Sequence, residues 1–401
     1  LGLVIATGCN EDGSDSMGPT RVTAASGAAD GAEDGADDGA ADDGGSDDGG
    51  AAMTDPLDAV QVRAYLTRLA PYLVGRSLTY EEGQEIDERG EAAIYDIIED
   101  WVSSPGFGEA IRYLIQTQLH VSGSTDSVDY ELPGNLAYEV ATLGLPWSTI
   151  LTADYCVDAP GEHIECDTGA PYAAGVLATK AYLIPNKGRF NLSRAKLMLE
   201  SFACRIYPME HDIQPPLLKE SLIPMFQAEN PAEQTVEEAQ GGFGNGVGCY
   251  TCHSQFGAHA QLFVRFDENG NWREDATGRQ DPDNELGRSF DGLYASHFDD
   301  ANASGIELSQ VFGEEVANLS EAADVLTDSR LFRECTVKNL LAHPFGLAAG
   351  FSDDIDAALI GQITDAVEAV DVDASVGAYV LSIFTDPTVV ATTVAALESG
   401  E

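Results

Sequence analysis

AIYDIIEDWV, Ala93 to Val102, is the stretch that decides the fold class. Ile94, Ile97, Ile98 and Trp101 recur at i, i+3, i+4 and i+7, which is one apolar stripe along an α-helix. Upstream, Thr79 and Glu82 form a capping box that opens the preceding helix. Before that, Asp55-Pro56 reads as an N-cap and first helical residue, with Leu57, Val60, Ala64 and Arg68 leading to a stop at Ala70-Pro71. Downstream, Pro105-Gly106 breaks the pattern, and Ile111, Leu114, Ile115 and Leu119 begin another apolar face. The middle, Gly134 to Gly188, is rich in Pro, Gly and turn residues and is expected to hold shorter elements. Helical spacing returns at Ser193 to Cys204 through Met198 and Phe202, and again from Ser329 to Leu341. It continues at Leu359, Ile363, Val367 and Val370, and from Val376 to Phe384. Strict apolar–polar alternation of the strand type is nearly absent, so the class expected is mainly α.

The chemistry-bearing stretch is CYTCH, Cys249 to His253. C-x-x-C-H is the spacing at which two thiols bond covalently to the two vinyl groups of one haem while the following histidine lies against the iron. Cys249 and Cys252 are the expected attachment points and His253 the expected iron ligand of one covalent haem c. The glycine run GGFGNGVG, Gly241 to Gly248, gives a pliant approach to it. The competing readings are a disulfide or a zinc knuckle. Zinc needs two further ligands from Cys156, Cys166, Cys204 or Cys335, and these form no second C-x-x-C. The fold expected is therefore mainly α, made of helical domains with a cytochrome c-like haem-binding region and irregular loops.

The chain opens on LGLVIATG and then Cys9, followed at once by acidic sequence, which reads as the end of a lipoprotein signal peptide. Cys9 is the expected lipidation site, and its acyl chains would hold the protein on a membrane without a spanning helix. An ordinary secretory peptide with an accidental cysteine is the competing reading. Asn10 is not the aspartate associated with inner-membrane retention, which favours an exported outer-membrane lipoprotein, or a periplasmic or cell-surface one. From Asn10 to Pro56 the sequence is nearly all Gly, Ala, Ser and Asp, with thirteen acidic residues against Arg21. Such composition cannot bury enough apolar surface to offset its ordering entropy, so a disordered acidic tether is expected. The tether carries −12 of the formal −48, leaving −36 on the rest. An acidic body of that kind repels nucleic acid and anionic lipid, and either suits a basic redox partner protein or simply keeps an exported protein soluble, solubility being the favoured explanation. No stretch is long and apolar enough to span a bilayer. Of seven cysteines, one is assigned to lipid and two to haem, leaving an even number. Cys156 and Cys166 are close in sequence and flanked by Asp, Gly and Pro, so they are expected to close a surface loop. Cys204 and Cys335 then pair by elimination.

The order of features resembles the cytochrome c-linked lipoproteins of unassigned reaction that are abundant in myxobacteria and planctomycetes. The matching segments are RLAPYLVGRSLTYEE (Arg68 to Glu82), LTADYCVD (Leu151 to Asp158), YAAGVLATKAYLI (Tyr172 to Ile184) and SRAKLMLESFACRIYP (Ser193 to Pro208). The haem motif follows, then FDENGNWR (Phe266 to Arg273) and LFRECTVKNLLAHPFGL (Leu331 to Leu347). The resemblance covers Arg68 to Leu347 and implies an electron-transfer protein with a single C-x-x-C-H haem. Three departures stand out. Gly257-Ala258-His259-Ala260 replaces a D-P-x-G turn after the haem histidine, Phe345-Gly346-Leu347 replaces L-G-R, and Asn302 replaces an aspartate.

A second axial ligand makes such an iron a fast electron carrier, whereas an open face lets it bind small molecules. No methionine follows Met225, so the candidates are His297, His343, His259, His211, Met209 and Met225. His259 lies six residues from His253, too near to swing to the opposite face. His297, 44 residues downstream, and His343, before Pro344, are the favoured pair, with an open site as the alternative. Asp267, Asn269 and Asn271 alternate like a calcium loop, but the glycine falls at the fourth position and no spaced glutamate follows. A hydrogen-bonded turn is expected instead, with Trp272 packed inward and Arg273 reaching a haem propionate. The organisation expected is a signal-peptide remnant over 1–8, the tether over 9–55, a helical domain over 56–190, a haem-binding domain over 191–350 and a helical segment over 351–401. The function expected is electron transfer in the cell envelope by a lipid-anchored c-type cytochrome. A haem enzyme with an open distal site, peroxidase-like or an oxidase subunit, is one alternative. A binding or scaffold lipoprotein with a structural C-x-x-C is the other.

Overall fold

Asp58 opens the first helix, α1 (Ala59–Leu73), by accepting the N–H groups of Val60 and Gln61 while the Gln61 side chain accepts from the Asp58 N–H. The computed structural model describes residues 56–125, 127–187, 191–217, 247–267, 269–274, 309–345 and 356–399, with 247–253 and 345 as backbone alone. Cys9, the tether, Met225, His297 and Asn302 lie outside the described residues. The helix thus begins three residues later than Asp55-Pro56 suggests, because Asp58 and Gln61 complete a capping box. It also runs through Pro71 to Leu73, since burial of Leu69, Ala70 and Leu73 outweighs one missing hydrogen bond.

The capping box of α2 (Tyr80–Arg89) is present as expected, with Thr79 and Glu82 exchanging hydrogen bonds. α3 (Ala93–Val102) buries Ile94, Ile97, Ile98 and Trp101, each contributing about 1.5–3 kcal/mol of transfer free energy. Ser104 then caps α4 (Pro105–Leu119), so Pro105 begins a helix rather than merely ending one. α5 (Leu132–Thr142) lies in the stretch where only shorter elements were expected. It crosses α4 closely because Gly108 and Gly134 stand at the contact. A Cβ on Gly108 would meet Thr142 and come 2.8 Å from the Tyr138 ring.

After the single turn α6 (Thr149–Thr152), the strands β1 (Cys156–Ala159) and β2 (Glu162–Ile164) form an antiparallel hairpin. A Cys156–Cys166 disulfide closes it. The turn α7 (Lys180–Leu183) leads to α8 (Leu192–Phe202), and α9 (Val247–Ala260) packs against α8. The short pair β3 (Gln310–Val311) and β4 (Glu314–Glu315) precedes α10 (Leu319–Asp328) and α11 (Arg330–Phe345). α12 (Ala357–Val370), α13 (Val376–Phe384) and α14 (Pro387–Ser399) complete the described chain. Cys204, just past α8, is bonded to Cys335 on α11. Both disulfides are the pairs reached from spacing and elimination.

Among the described residues 62% are helical and 7% strand, which is a mainly α protein. The described residues from Leu57 onward form one compact unit, and among them an apolar core runs from Val62 on α1 to Val394 on α14. The boundaries expected at 190 and 350 fall inside it. α14 returns to pack on α1, and Tyr65 of α1 donates to the main-chain oxygen of Phe384. Among the described residues no single helix is long and apolar enough to cross a membrane.

Candidate functional site

The backbone is helical from Val247 through the whole of CYTCH. Residues three and four apart are neighbours on a helix surface, so positions 249, 252 and 253 fall along one face of α9. Their side chains lie outside the described residues. Two thiols and an imidazole on one helical face are the donor set a covalent haem requires, and the backbone fits that group.

The second half of α9 is fixed from outside. Every residue from Ser254 to Ala260 is buried. The Gln255 amide accepts from the Met209 N–H at 2.7 Å and donates to the main-chain oxygens of Met209 at 2.9 Å and Gln214 at 2.7 Å. Gln214 in turn accepts from the Phe312 N–H, and the Leu217 N–H donates to Ser254 O. The segment 209–217 is thereby strapped along α9. His259 pairs through Nδ1 with the Tyr207 hydroxyl at 2.7 Å, and its Nε2 has no hydrogen-bond partner. Complete burial lowers the His259 pKa to about 3, so the ring is neutral at ordinary pH. Burial likewise raises the Tyr207 hydroxyl well above its usual value.

FDENGNWR forms the hydrogen-bonded turn that the sequence indicates. Asp267 Oδ1 accepts from the N–H groups of Asn269 and Asn271, and Phe266 pairs with Trp272 across the turn. Asp267 is occupied in holding its own loop. The turn is latched by Arg194, 2% exposed, which donates to the main-chain oxygens of Leu183, Phe266 and Asp267 and to Asn191 Oδ1. Burial lowers the Arg194 pKa to about 10, which still leaves it charged at neutral pH. Trp272 is half-buried against the core, its main-chain N–H donates to Thr168 O, and Arg265 lies over its ring at 5.7 Å. Arg273 is exposed beside it. The helix runs seven residues past His253, about 10 Å, before this turn begins. Trp272 and Arg273 therefore follow the far end of α9 from the motif.

No protein-family model matches this chain, and no curated protein and no solved structure matches it. The site rests on its own residues.

The candidate axial ligands are scattered. His343, half-buried on α11, sits against the rings of Tyr72 at 5.4 Å and Tyr113 at 6.3 Å, and burial lowers its pKa. His211 is exposed. Met209 is held beside α9, but at Gln255, which is two residues and about 200° around the helix from His253. Gln255 is itself three residues from Cys252 and so neighbours that position on the helix surface. His259 is spoken for by Tyr207. Among the described residues, no group of three or more His, Cys, Asp or Glu side chains is placed to hold a metal ion. Sequence reasoning missed the Gln255 clamp and the Tyr207–His259 pair. Both are long-range contacts between α9 and a segment 46–52 residues earlier, with no periodic signal to announce them.

Proposed function

We propose that this chain is an exported, lipid-anchored, single-haem c-type cytochrome-like protein that transfers electrons in the cell envelope. The observation that carries the reading is C-x-x-C-H on a continuous helix, with positions 249, 252 and 253 along one face. Cys249 and Cys252 attach the haem and His253 ligates the iron. When bound, the group supplies a one-electron couple. Two further features support the assignment. The disulfides Cys156–Cys166 and Cys204–Cys335 use four of seven cysteines, which fits an oxidising compartment and leaves Cys9, Cys249 and Cys252 for lipid and haem. The strap over 209–217 and the Tyr207–His259 pair fix the second half of α9, so the motif stands on a rigid element.

The fold region from α8 to α11 is read as the cytochrome c-like part, in line with the resemblance to the myxobacterial and planctomycete lipoproteins. Trp272 and Arg273 are assigned to the haem surroundings, and either His297 or His343 to the sixth position, with an open face as the alternative. Cys9 carries the lipid that places the protein on the outer membrane, and the acidic surface receives a basic redox partner. Intact-mass measurement of the chain matured in a host with cytochrome c assembly tests the reading. One haem added per chain, retained under denaturing conditions and lost in Cys249→Ala/Cys252→Ala, is the expected result. A chain at its polypeptide mass, alongside a control cytochrome matured normally in the same cells, would overturn it.

A further inference from the structure

A cavity of about 180 Å³ opens between α6, α10, α11 and the loop entering α13. That is far more than the roughly 10–15 Å³ that holds one water molecule. Its floor is aromatic, formed by Trp147, Phe332 and Tyr379, which are 5%, 3% and 2% exposed. Its rim carries the carboxylates of Asp324, Asp328 and Asp373. Arg333 also lines it, but that guanidinium is engaged by Glu368 and by the main-chain oxygen of Asp328. Among the described residues none of the three aspartate side chains has an ion pair or a hydrogen bond. The Tyr379 hydroxyl, on a side chain almost wholly buried in the cavity floor, also lacks a hydrogen-bond partner among them. Burial pushes its pKa up to about 12, so it remains a hydroxyl.

This arrangement is unfavourable in the free protein. Asp324 and Asp328 stand four residues apart in the last turn of α10, where like charges repel and the helix dipole is itself negative. Burial, then repulsion from Asp328 and Glu321, raises the Asp324 carboxyl. A bound cation would offset the repulsion and the helix dipole. The carboxylates do not converge as a metal site does, and the floor beneath them is aromatic, so the complementary ligand is an organic cation with an aliphatic stem.

We propose that this cavity binds an alkylammonium, its headgroup among Asp324, Asp328, Asp373 and the Tyr379 hydroxyl and its stem over Trp147 and Phe332. The site is independent of the haem assignment. Titration calorimetry of the full chain with n-butylammonium chloride, and separately with Nα-acetyl-lysine amide, tests it at fixed ionic strength. One saturable site is expected, weakened at least about tenfold in Asp328→Asn and in Asp373→Asn and about threefold in Tyr379→Phe. Asp328→Asn should also raise the Tm of the free protein, so a lost site is not a lost fold. Tighter binding of the simple amine points to a small metabolite as occupant, and tighter binding of the capped lysine to a lysine side chain of a partner. Absence of saturable binding by either probe overturns the proposal, as does unchanged affinity in both aspartate variants. Calcium binding abolished by those variants, without amine binding, overturns it in favour of a metal.

Discussion

Arg194 is held by four oxygens, none of them a carboxylate oxygen, while Tyr182 donates to its own main-chain oxygen. Removing the guanidinium leaves buried acceptors on three segments without a donor. Arg194→Ala should therefore destabilise the protein by about 3–5 kcal/mol in urea unfolding, with Arg194→Lys recovering only part because an ammonium cannot fork. A loss under about 1 kcal/mol would show that water replaces the latch. His259 makes a pH prediction. Its folded pKa of about 3 lies below the unfolded value of about 6.5, so the folded state binds the proton less well. Its contribution is whole above about pH 6.5 and is lost as pH falls toward 3, at up to about 1.4 kcal/mol per pH unit. His259→Gln keeps an acceptor for Tyr207 and should flatten that part of the stability–pH curve. An unchanged slope would contradict a buried neutral ring. At Glu82, burial alone would raise the carboxyl, but hydrogen bonds from Arg76, the Thr79 N–H and the Trp101 indole hold it at about 2. Its contribution persists above the unfolded value and disappears as pH falls through 2, a lower window than that of His259.

At the scale of elements, α4 and α5 cross closely at Gly108. Gly108→Ala places a methyl group against Thr142 and the Tyr138 ring, and should destabilise by about 2 kcal/mol. Thr142→Ser in the same chain should restore part of it, because it removes the nearer methyl. Full tolerance of Gly108→Ala would mean the helices can separate. α5 itself was not legible in the sequence. Its apolar residues surround the helix rather than striping one face, and Pro133 and Gly134 at its start read as turn signals. α3 was fully legible because Ile94, Ile97, Ile98 and Trp101 keep one face buried. Val370 is the converse: it has helical spacing on α12 yet is 86% exposed, because the helix runs past the edge of the core there. The motif was legible as five letters. The Gln255 strap and the Arg194 latch were not, because a hydrogen bond to a main-chain oxygen leaves no pattern in the partner's side chains.

At the scale of the molecule, formal charge −48 and a single core pull in opposite directions. Mutual repulsion of carboxylates destabilises the compact state and is screened by salt. Raising the ionic strength from about 0.01 M to about 0.15 M should raise the Tm, and a fall would mean that the surface ion pairs of Arg330 and Arg89 outweigh the repulsion. Composition announced the acidic body, and apolar periodicity the helical class. It did not announce that segments on either side of residues 190 and 350 share one core, since closure of α14 onto α1 joins residues more than 300 apart. The central claim concerns one helix, α9. Its most direct test is the optical spectrum of the chain, produced with cytochrome c maturation and denatured in alkaline pyridine with dithionite. A c-type haemochrome that stays with the polypeptide and vanishes in Cys249→Ala/Cys252→Ala is the predicted result. A chain without covalently retained haem absorbance, from cells that mature a control cytochrome, would contradict the account.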